Sequence, residues 1–466
     1  MGYWALSAIV ASLAHIIPAW MSFKLDFRFV CFSALLAAAV TGLSGLIPAL
    51  QAARGMDLHG SVRALGAGAT HARGRLRALN AIIVGQIALA LMLLIGAGLF
   101  LRSLHRVQAV NPGFCMDGLL TYQIPLPIGP YFDERKRQLF FEQHLEKVRA
   151  LPGVEHATIC GSLPFCFLNT VSFEVEGMPE PDPSGSDRAA SKCSVIPDYF
   201  ETMAMKLIRG RSFTAWDNRR ETERCVVIDE TCAQRFWPDG EAIGKRLRPK
   251  GSEHWMRVIG VAQNVMNVGL DQPAWPTVYV PYVWDASFVT SGVVRTSGDP
   301  LSLVTAIRET LRSDDPGVPL VDVQTMAERV HKSLWGRRVL AWLIGVPAAA
   351  AGIMACAGIF GVISYSVSQR TQEFGIRLAL GAQPKHLLGL VLRAGLARIG
   401  LGIVLGTGLT LGLTRVVRSL LFGIAASDSV TYVLVTLLLG AVSVAACWLP
   451  MRRAANVDPL VALRAE

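Results

Sequence analysis

The sequence predicts a mixed fold: a polytopic α-helical membrane protein of about six spans that carries a large α+β extracytoplasmic domain. Three observations predict it. Hydrophobic residues make up 52% of the chain and charged ones only 17%, against about a quarter charged in a typical soluble domain. Apolar runs long enough to cross a bilayer, which takes roughly 20 residues, fall at 1–21, 29–50, 80–101, 339–363, 387–413 and 430–449. Residues 102–335 have ordinary soluble composition and are numerous enough for a core of their own.

The first two runs, within residues 1–50, read as a pair of spans. A secretory signal would need a basic n-region, and Met1-Gly2-Tyr3-Trp4 carries no positive side chain. Residues 51–79 read as a basic cytoplasmic linker containing Arg54, Arg63, Arg73, Arg75 and Arg77, and Arg452, Arg453 and Arg464 follow the last run. Cations gathered beside spans in this way mark the cytoplasmic side. The net charge of +10 is therefore read as membrane orientation, with no nucleic-acid partner. The count places the N-terminus inside, 102–335 outside, and both the Ser364–His386 loop and the C-terminus inside.

Two stretches echo each other. Leu46-Ile47-Pro48-Ala49-Leu50-Gln51-Ala52-Ala53-Arg54, then Leu58, closes the second run; Trp448-Leu449-Pro450-Met451-Arg452-Arg453-Ala454-Ala455-Asn456, then Leu460, closes the last in the same register. Recurrence at corresponding places is a signature of duplication. Residues 1–50 are accordingly expected to be the tail of a preceding unit, and a complete unit to be a span at 80–104, an external domain at 105–335 and a membrane domain with three spans and a cytoplasmic tail at 336–466.

Inside the external domain, Leu119–Leu126 alternates as a strand does, and Phe132–Leu151 carries Leu139, Phe140, Leu145 and Val148 on one face of a helix that Pro152-Gly153 ends. Strands are expected at 154–160, 171–175, 225–228, 256–261 and 278–281, with a short helix at 230–237. A helix over 300–312, a strand near 318–323 and a helix over 325–335 lead into the fourth span. Continuous helices at both ends of the domain are expected to let a tilting span move it. Six of the nine cysteines, Cys115, Cys160, Cys166, Cys193, Cys225 and Cys232, lie here, where oxidising conditions permit disulfides; they read as small buried hydrophobes with at most one bridge.

The sharpest local motif is Glu373-Phe374-Gly375-Ile376-Arg377-Leu378-Ala379-Leu380-Gly381-Ala382. On a helix, Glu373 and Arg377 stand at i,i+4 and form a thin polar stripe on an otherwise small and apolar surface. Such a helix needs a membrane surface, neighbouring spans or a partner groove. The plain reading is an interfacial re-entry helix with one weak ion pair; the functional one is a coupling helix docked on a partner. Gly402 to Gly406 and Gly408 to Gly412 are spaced for close helix packing. No acidic residue lies deep in a span, which removes the usual signal of an ion-coupled carrier.

An ATPase needs GxxxxGK[ST] as a phosphate cradle, and no such run occurs; Gly240-Glu241-Ala242-Ile243-Gly244-Lys245-Arg246 has the wrong spacing and reads as a turn. His144, His156 and His254 are isolated in the sequence, and HExxH and GxSxG are absent. No catalytic residue, cofactor site or metal site is assigned, and the chain reads as a non-enzyme.

Glu373 to Ala382 resembles the E-x-G-I-R-x-A-L-G-A signature of the MacB/FtsX-like permease family of ABC transporters, and other stretches agree. Gln86-Ile87-Ala88-Leu89-Ala90, Leu99-Phe100-Leu101-Arg102-Ser103-Leu104 and Asn111-Pro112-Gly113-Phe114 resemble its first span and exit. Leu151-Pro152-Gly153-Val154, Tyr199-Phe200-Glu201-Thr202-Met203, Arg209-Gly210-Arg211-Ser212-Phe213 and Phe236-Trp237-Pro238 resemble its periplasmic domain, and Ser419-Leu420-Leu421-Phe422-Gly423 and Asp458-Pro459-Leu460-Val461-Ala462-Leu463-Arg464 its last spans. The likeness is nearest to the subfamily with two such units in one polypeptide, of which residues 1–50 lack the first external domain.

The resemblance implies a permease subunit in the bacterial inner membrane, dimeric or paired with another permease unit. A separate ABC-type ATPase subunit would bind the ATP, Glu373 to Ala382 would receive its stroke, and Leu104–Val110 and Thr325–Trp335 would carry the motion to the periplasmic domain. The family's strokes serve export of hydrophobic compounds, peptides or lipoproteins. Alternatives are a mechanotransmission regulator of an extracytoplasmic hydrolase or other periplasmic partner, and a membrane receptor or anchor.

Overall fold

The computed structural model describes residues 64–166, 168–180, 186–238, 240–368, 384–417, 422–425 and 428–455, with helical stretches between 27 and 38. The chain forms two units, Val107–Gly336 and the membrane-side remainder on either side of it.

In the membrane-side unit, the described residues hold four helices long and apolar enough to span a bilayer: α1 (Ala64–Gln108), α7 (Trp335–Ser368), α8 (Pro384–Val417) and α9 (Ser429–Ala455). The remaining two of the six expected spans fall mostly outside the described residues. Helix α1 starts at Ala64, inside the stretch expected to be a linker; Ala, Leu and Arg are strong helix formers, and scattered glycines weaken such a run without ending it. Half of the α1 span is buried, against 22%, 22% and 17% of the others, so α1 is the centre around which the rest pack. Its Ile83, Ile87, Leu91, Ile95 and Leu99 recur at helical spacing and meet Ile359 and Ile363 of α7, Ile399 of α8 and Leu439 of α9.

The Val107–Gly336 unit contains an 11-stranded sheet in the order β11-β1-β10-β2-β4-β3-β7-β8-β6-β9, with β5 paired to β8 and β4 also paired to β9. The strands are β1 (Leu119–Pro125), β2 (Val154–Cys160), β3 (Thr170–Val175), β4 (Ala189–Val195), β5 (Leu207–Gly210), β6 (Cys225–Asp229), β7 (Arg246–Pro249), β8 (Met256–Ala262), β9 (Thr277–Pro281), β10 (Val289–Thr296) and β11 (Val321–Thr325). The β4–β9 pairing closes β4, β3, β7, β8, β6 and β9 into a ring. Two cores result. One lies inside the ring, between it and α4 (Glu230–Phe236), around Phe173, Ile228, Phe236 and Val258. The other lies under the open end of the sheet, where β1, β10 and β2 are covered by α2 (Glu134–Arg149) and α5 (Val304–Asp314), around Tyr122, Phe141, Ile159 and Ile307.

Local chemistry explains these elements. Asp133 caps α2 by accepting from the Arg135 N–H at 2.9 Å. Its apolar face runs Phe140, Phe141, Leu145 and Val148; it ends at the Ala150 cap, whose N–H bonds to the Glu146 and Val148 carbonyls, and Gly153 turns the chain after it at φ +89°. The buried His144 belongs to that face: its Nδ1 lies 3.0 Å from Asp314 Oδ2 at the end of α5, and burial pushes its pKa down. It joins two helices, a structural role. Strands β4, β5, β7 and β10 and the turn α3 (Tyr199–Thr202) were not expected from the sequence. The expected continuous helix over 325–335 is instead α6 (Met326–Ser333), a break at Leu334, then α7; the Leu334 N–H bonds to the His331 and Lys332 carbonyls, tightening the last turn.

Candidate functional site

All ten residues of the expected coupling motif, Glu373, Phe374, Gly375, Ile376, Arg377, Leu378, Ala379, Leu380, Gly381 and Ala382, lie outside the described residues, between the end of α7 at Ser368 and the start of α8 at Pro384. What the structure describes is the machinery to which that segment is joined.

In the membrane-side unit, α8 approaches α1 closely. A Cβ added to Gly402 would stand 2.7 Å from the Ile87 side chain, and one on Gly406 would stand 2.8 Å from the Ala88 carbonyl oxygen. Gly402 and Gly406 thus make the close contact their spacing anticipates, whereas Gly408 and Gly412 have nothing within 4 Å. A second tie closes the other end of α1. Phe422 N donates to Ser103 Oγ at 2.9 Å, Arg106 donates to the Gly423 carbonyl, and Arg102 donates to Asp428. Asp428 is the N-cap of α9, accepting from Thr431 N at 3.0 Å and Thr431 Oγ1 at 2.6 Å. The Thr431 hydroxyl first, then its amide and Arg102, hold the Asp428 carboxyl below its usual range. The last turns of α1 are therefore fastened to the α8–α9 connection.

In the other unit, the run after α1 is a built anchor. Asn111 Oδ1 accepts from Gly113 N at 2.9 Å, Met266 N donates to the Pro112 carbonyl at 3.0 Å, and Gln263 donates to the Gly113 carbonyl. Gly113 sits at φ +89° with its would-be Cβ 2.1 Å from the Asn264 oxygen, so only glycine fits. The run before α7 is fastened as firmly. Thr325 and Glu328 form a reciprocal capping box at the start of α6. Arg329, 5% exposed, bonds Asp322 Oδ2 at 2.8 Å, Thr121 Oγ1 at 3.2 Å and Cys166 Sγ at 2.8 Å. One guanidinium thus links α6, β1, β11 and the loop after β2.

Between the two cores, where β2 leaves β4, opens a cleft of about 370 Å³ lined by Gln123, Ser162, Cys166, Asn169, Lys192 and Asp285. Leu163 and Val289 line it as well, and Lys192 pairs with Asp285 at 3.0 Å. Among the described residues no group of three or more His, Cys, Asp or Glu side chains could hold a metal ion.

Sequence reasoning missed the Arg102–Asp428 tie and the Arg329 hub. The first joins residues 326 positions apart, which no local pattern reports. The T-x-x-E signature at Thr325 was readable and marks where α6 begins.

Two family models match the chain. Residues 78–313 match the MacB-like periplasmic core domain, and residues 345–459 match the FtsX-like permease C-terminal domain. The macrolide export ATP-binding/permease protein MacB of Azoarcus sp. is 25% identical over 408 residues, covering 83% of this chain and 56% of the relative. MacB of Agrobacterium fabrum is 28% identical over 301 residues, 59% of this chain and 43% of the relative. The uncharacterized ABC transporter permease YvrN of Bacillus subtilis is 26% identical over 234 residues, 46% of this chain and 54% of the relative. The chain thus spans about half the length of the curated relatives it matches. The crystal structure of the periplasmic region of MacB from Actinobacillus actinomycetemcomitans aligns to 49% of this chain and 95% of that one, at 16% identity and a TM-score of 0.33.

Proposed function

We propose, from the premise that this chain belongs to the ABC transporter permease family that combines a MacB-like periplasmic core domain with an FtsX-like permease domain, that it transmits ATP-driven motion from a separate ATPase subunit to its periplasmic domain. In this reading the chain sits in the bacterial inner membrane as a dimer or paired with another permease unit, and the ATPase docks on Glu373 to Ala382. The carrying observation is the double fastening of α1: its outer end is tied to the α8–α9 connection by Arg102, Ser103 and Arg106, and the chain just beyond it is locked by the Asn111-Pro112-Gly113 anchor. A helix held at both places moves as a strut; a loosely joined one would dissipate the motion.

Export is the proposed use, of hydrophobic compounds, peptides or lipoproteins; the MacB relatives are named for macrolide export. The same fastening also serves a second use, mechanical switching of a periplasmic partner. The test is retention of a candidate ABC-type ATPase on detergent-solubilised, tagged full-length chain, with and without Glu373→Ala and Arg377→Ala. Retention by wild type and loss by the double variant is the expected result; a wild type that retains no candidate ATPase overturns the reading.

A further inference from the structure

The sheet of the Val107–Gly336 unit splits at one place. Strand β2 stands between β10 and β4 in the sheet order, and it stops at Cys160, opposite Ser291 of β10 and Val195 of β4. Strand β10 reaches back further, to Val289, with β1 still paired along it. Gly161 N bonds to the Ser194 carbonyl at 2.8 Å before the chain leaves the sheet. Beyond that bond, the space between β10 and β4 is the cleft of about 370 Å³, within the range of about 300–1,000 Å³ found for small-ligand sites.

Side chains alternate between the two faces of a strand. Tyr122 and Cys193 turn into the buried interior, so their neighbours Gln123, Lys192 and Ser194, with Ser291 paired across from Gln123, turn into the cleft. Ser194 and Ser291 are both 2% exposed. Neither hydroxyl has a hydrogen-bond partner among the described residues, nor does the exposed Asn169 amide at the cleft's edge. The Gln123 amide reaches no further than the Cys166 sulfur, at 3.9 Å. A buried polar group without a partner is costly, and a bound molecule can supply the missing bonds. The charged side chains of the lining, Lys192 and Asp285, neutralise each other at 3.0 Å.

Hydroxyls and carboxamides each offer both a donor and an acceptor, and the groups that answer them in kind are hydroxyls. With Lys192 and Asp285 paired, a net charge on the ligand would be buried without a counter-charge, at a high desolvation cost. A neutral molecule meets no such cost and can still use the remaining Lys192 donors and Asp285 lone pairs. Leu163 and Val289 suit the C–H face of a ring. We propose that this cleft binds an uncharged polyhydroxylated ligand, a sugar of one or two rings, with Gln123, Asn169, Ser194 and Ser291 as its hydrogen-bonding residues. A ligand seated there touches β1, β10 and β4 together and closes the split between the two cores. Such binding needs neither the ATPase nor its docking segment.

The experiment uses full-length chain in lipid nanodiscs, in buffer free of glycerol and of sugar-based detergent, and reads saturation-transfer NMR from added probes. Glucose and trehalose stand for free sugars, N,N′-diacetylchitobiose for a glycan strand, and aspartate and arginine are charged controls of similar size. At least one sugar should show transfer and compete with the other sugars, while the two charged probes should show none. Ser194→Ala with Ser291→Ala should weaken the best sugar by about tenfold, as the loss of two hydrogen bonds of ordinary net strength does; Asn169→Ala should weaken it by about threefold. The proposal is overturned if no sugar binds, if aspartate or arginine binds as tightly as the best sugar, or if the variants bind as wild type does. Should the double variant not fold, the exposed Asn169→Ala decides alone. Transfer to diacetylchitobiose but not to glucose or trehalose supports the proposal and assigns the ligand to a glycan; the reverse supports it and assigns the ligand to a free sugar.

Discussion

Two side chains carry measurable consequences of where they are buried. Asp229 caps α4 through Oδ1, which accepts from Cys232 N at 2.7 Å, while its Oδ2 has no hydrogen-bond partner. Burial pushes its pKa up to about 7; Thr277 lies close enough to temper that rise without reaching hydrogen-bond geometry at Oδ2. The folded state therefore holds a proton that the unfolded chain, titrating at about 3.9, has released. Its contribution to stability is full below about pH 4 and is lost as pH rises toward 7. Asp229→Asn keeps the cap and removes the charge. In calorimetric unfolding at pH 4 and pH 8 the variant should match wild type at the lower pH and exceed it at the higher, by a few kcal/mol at about 1.4 kcal/mol per pKa unit; a wild-type advantage at pH 8 would refute this. Gly292 is the second case. It pairs directly with Tyr122 across β10 and β1, and an added Cβ would lie 2.2 Å from the tyrosine ring. Gly292→Ala should cost about 1–3 kcal/mol through overpacking, read as a lowered denaturation midpoint.

At the scale of elements, the contrast between the two glycine pairs of α8 gives a sharp test. Gly406→Leu would drive a side chain into the α1 backbone, whereas Gly408→Leu enters open space. Thermal stability in detergent should drop by several degrees for the first and stay unchanged for the second; equal effects would mean that α8 does not pack on α1 as described. Much of this level was legible in the sequence. The runs that become β1, β2, β6, β8 and β9 read as strands because β-branched and apolar residues recur between turn signals, and α2 shows its apolar face openly. Strand β10 escapes because Ser291 and Gly292 interrupt it with turn-like residues; its pairing makes sense only once the Tyr122 ring fills the missing side chain's place. Strand β4, with Ala189, Ala190, Ser191 and Ser194, escapes because it is held by partners on both sides and needs little side-chain bulk of its own. Glycine spacing announced the α8 contact at Gly402 and Gly406, but the same spacing at Gly408 and Gly412 meets no neighbour among the described residues. The candidate site was legible only where local chemistry writes it, as in the capping box and the Pro112-Gly113 turn. Arg329 depends on four separate segments and left no local trace.

At the scale of the molecule, each unit has its own core: both clusters of the Val107–Gly336 unit lie wholly within it, and the membrane-side cluster is drawn from α1, α7, α8 and α9 with one contribution from Ile424. Trp342, Ile353, Val404 and Leu437 are each more than 60% exposed, apolar surface suited to lipid or to a further packed helix. The chain passes between the two units at Arg106–Val107 and at Gly336–Arg337. The second join lies in the first turn of α7, just after the Leu334 break that separates it from the capped α6. A short Gly-Ser insertion between Leu334 and Trp335 should leave both cores intact and the ATPase bound, yet slacken one of the two joins. Under the proposed function, hydrogen exchange over Val321–Ser333 should depend on nucleotide in the wild-type complex and lose that dependence in the insertion variant. If the variant keeps a wild-type nucleotide response, the link between α6 and α7 is not needed to carry the motion, and the anchor at Asn111-Pro112-Gly113 becomes the next element to disrupt.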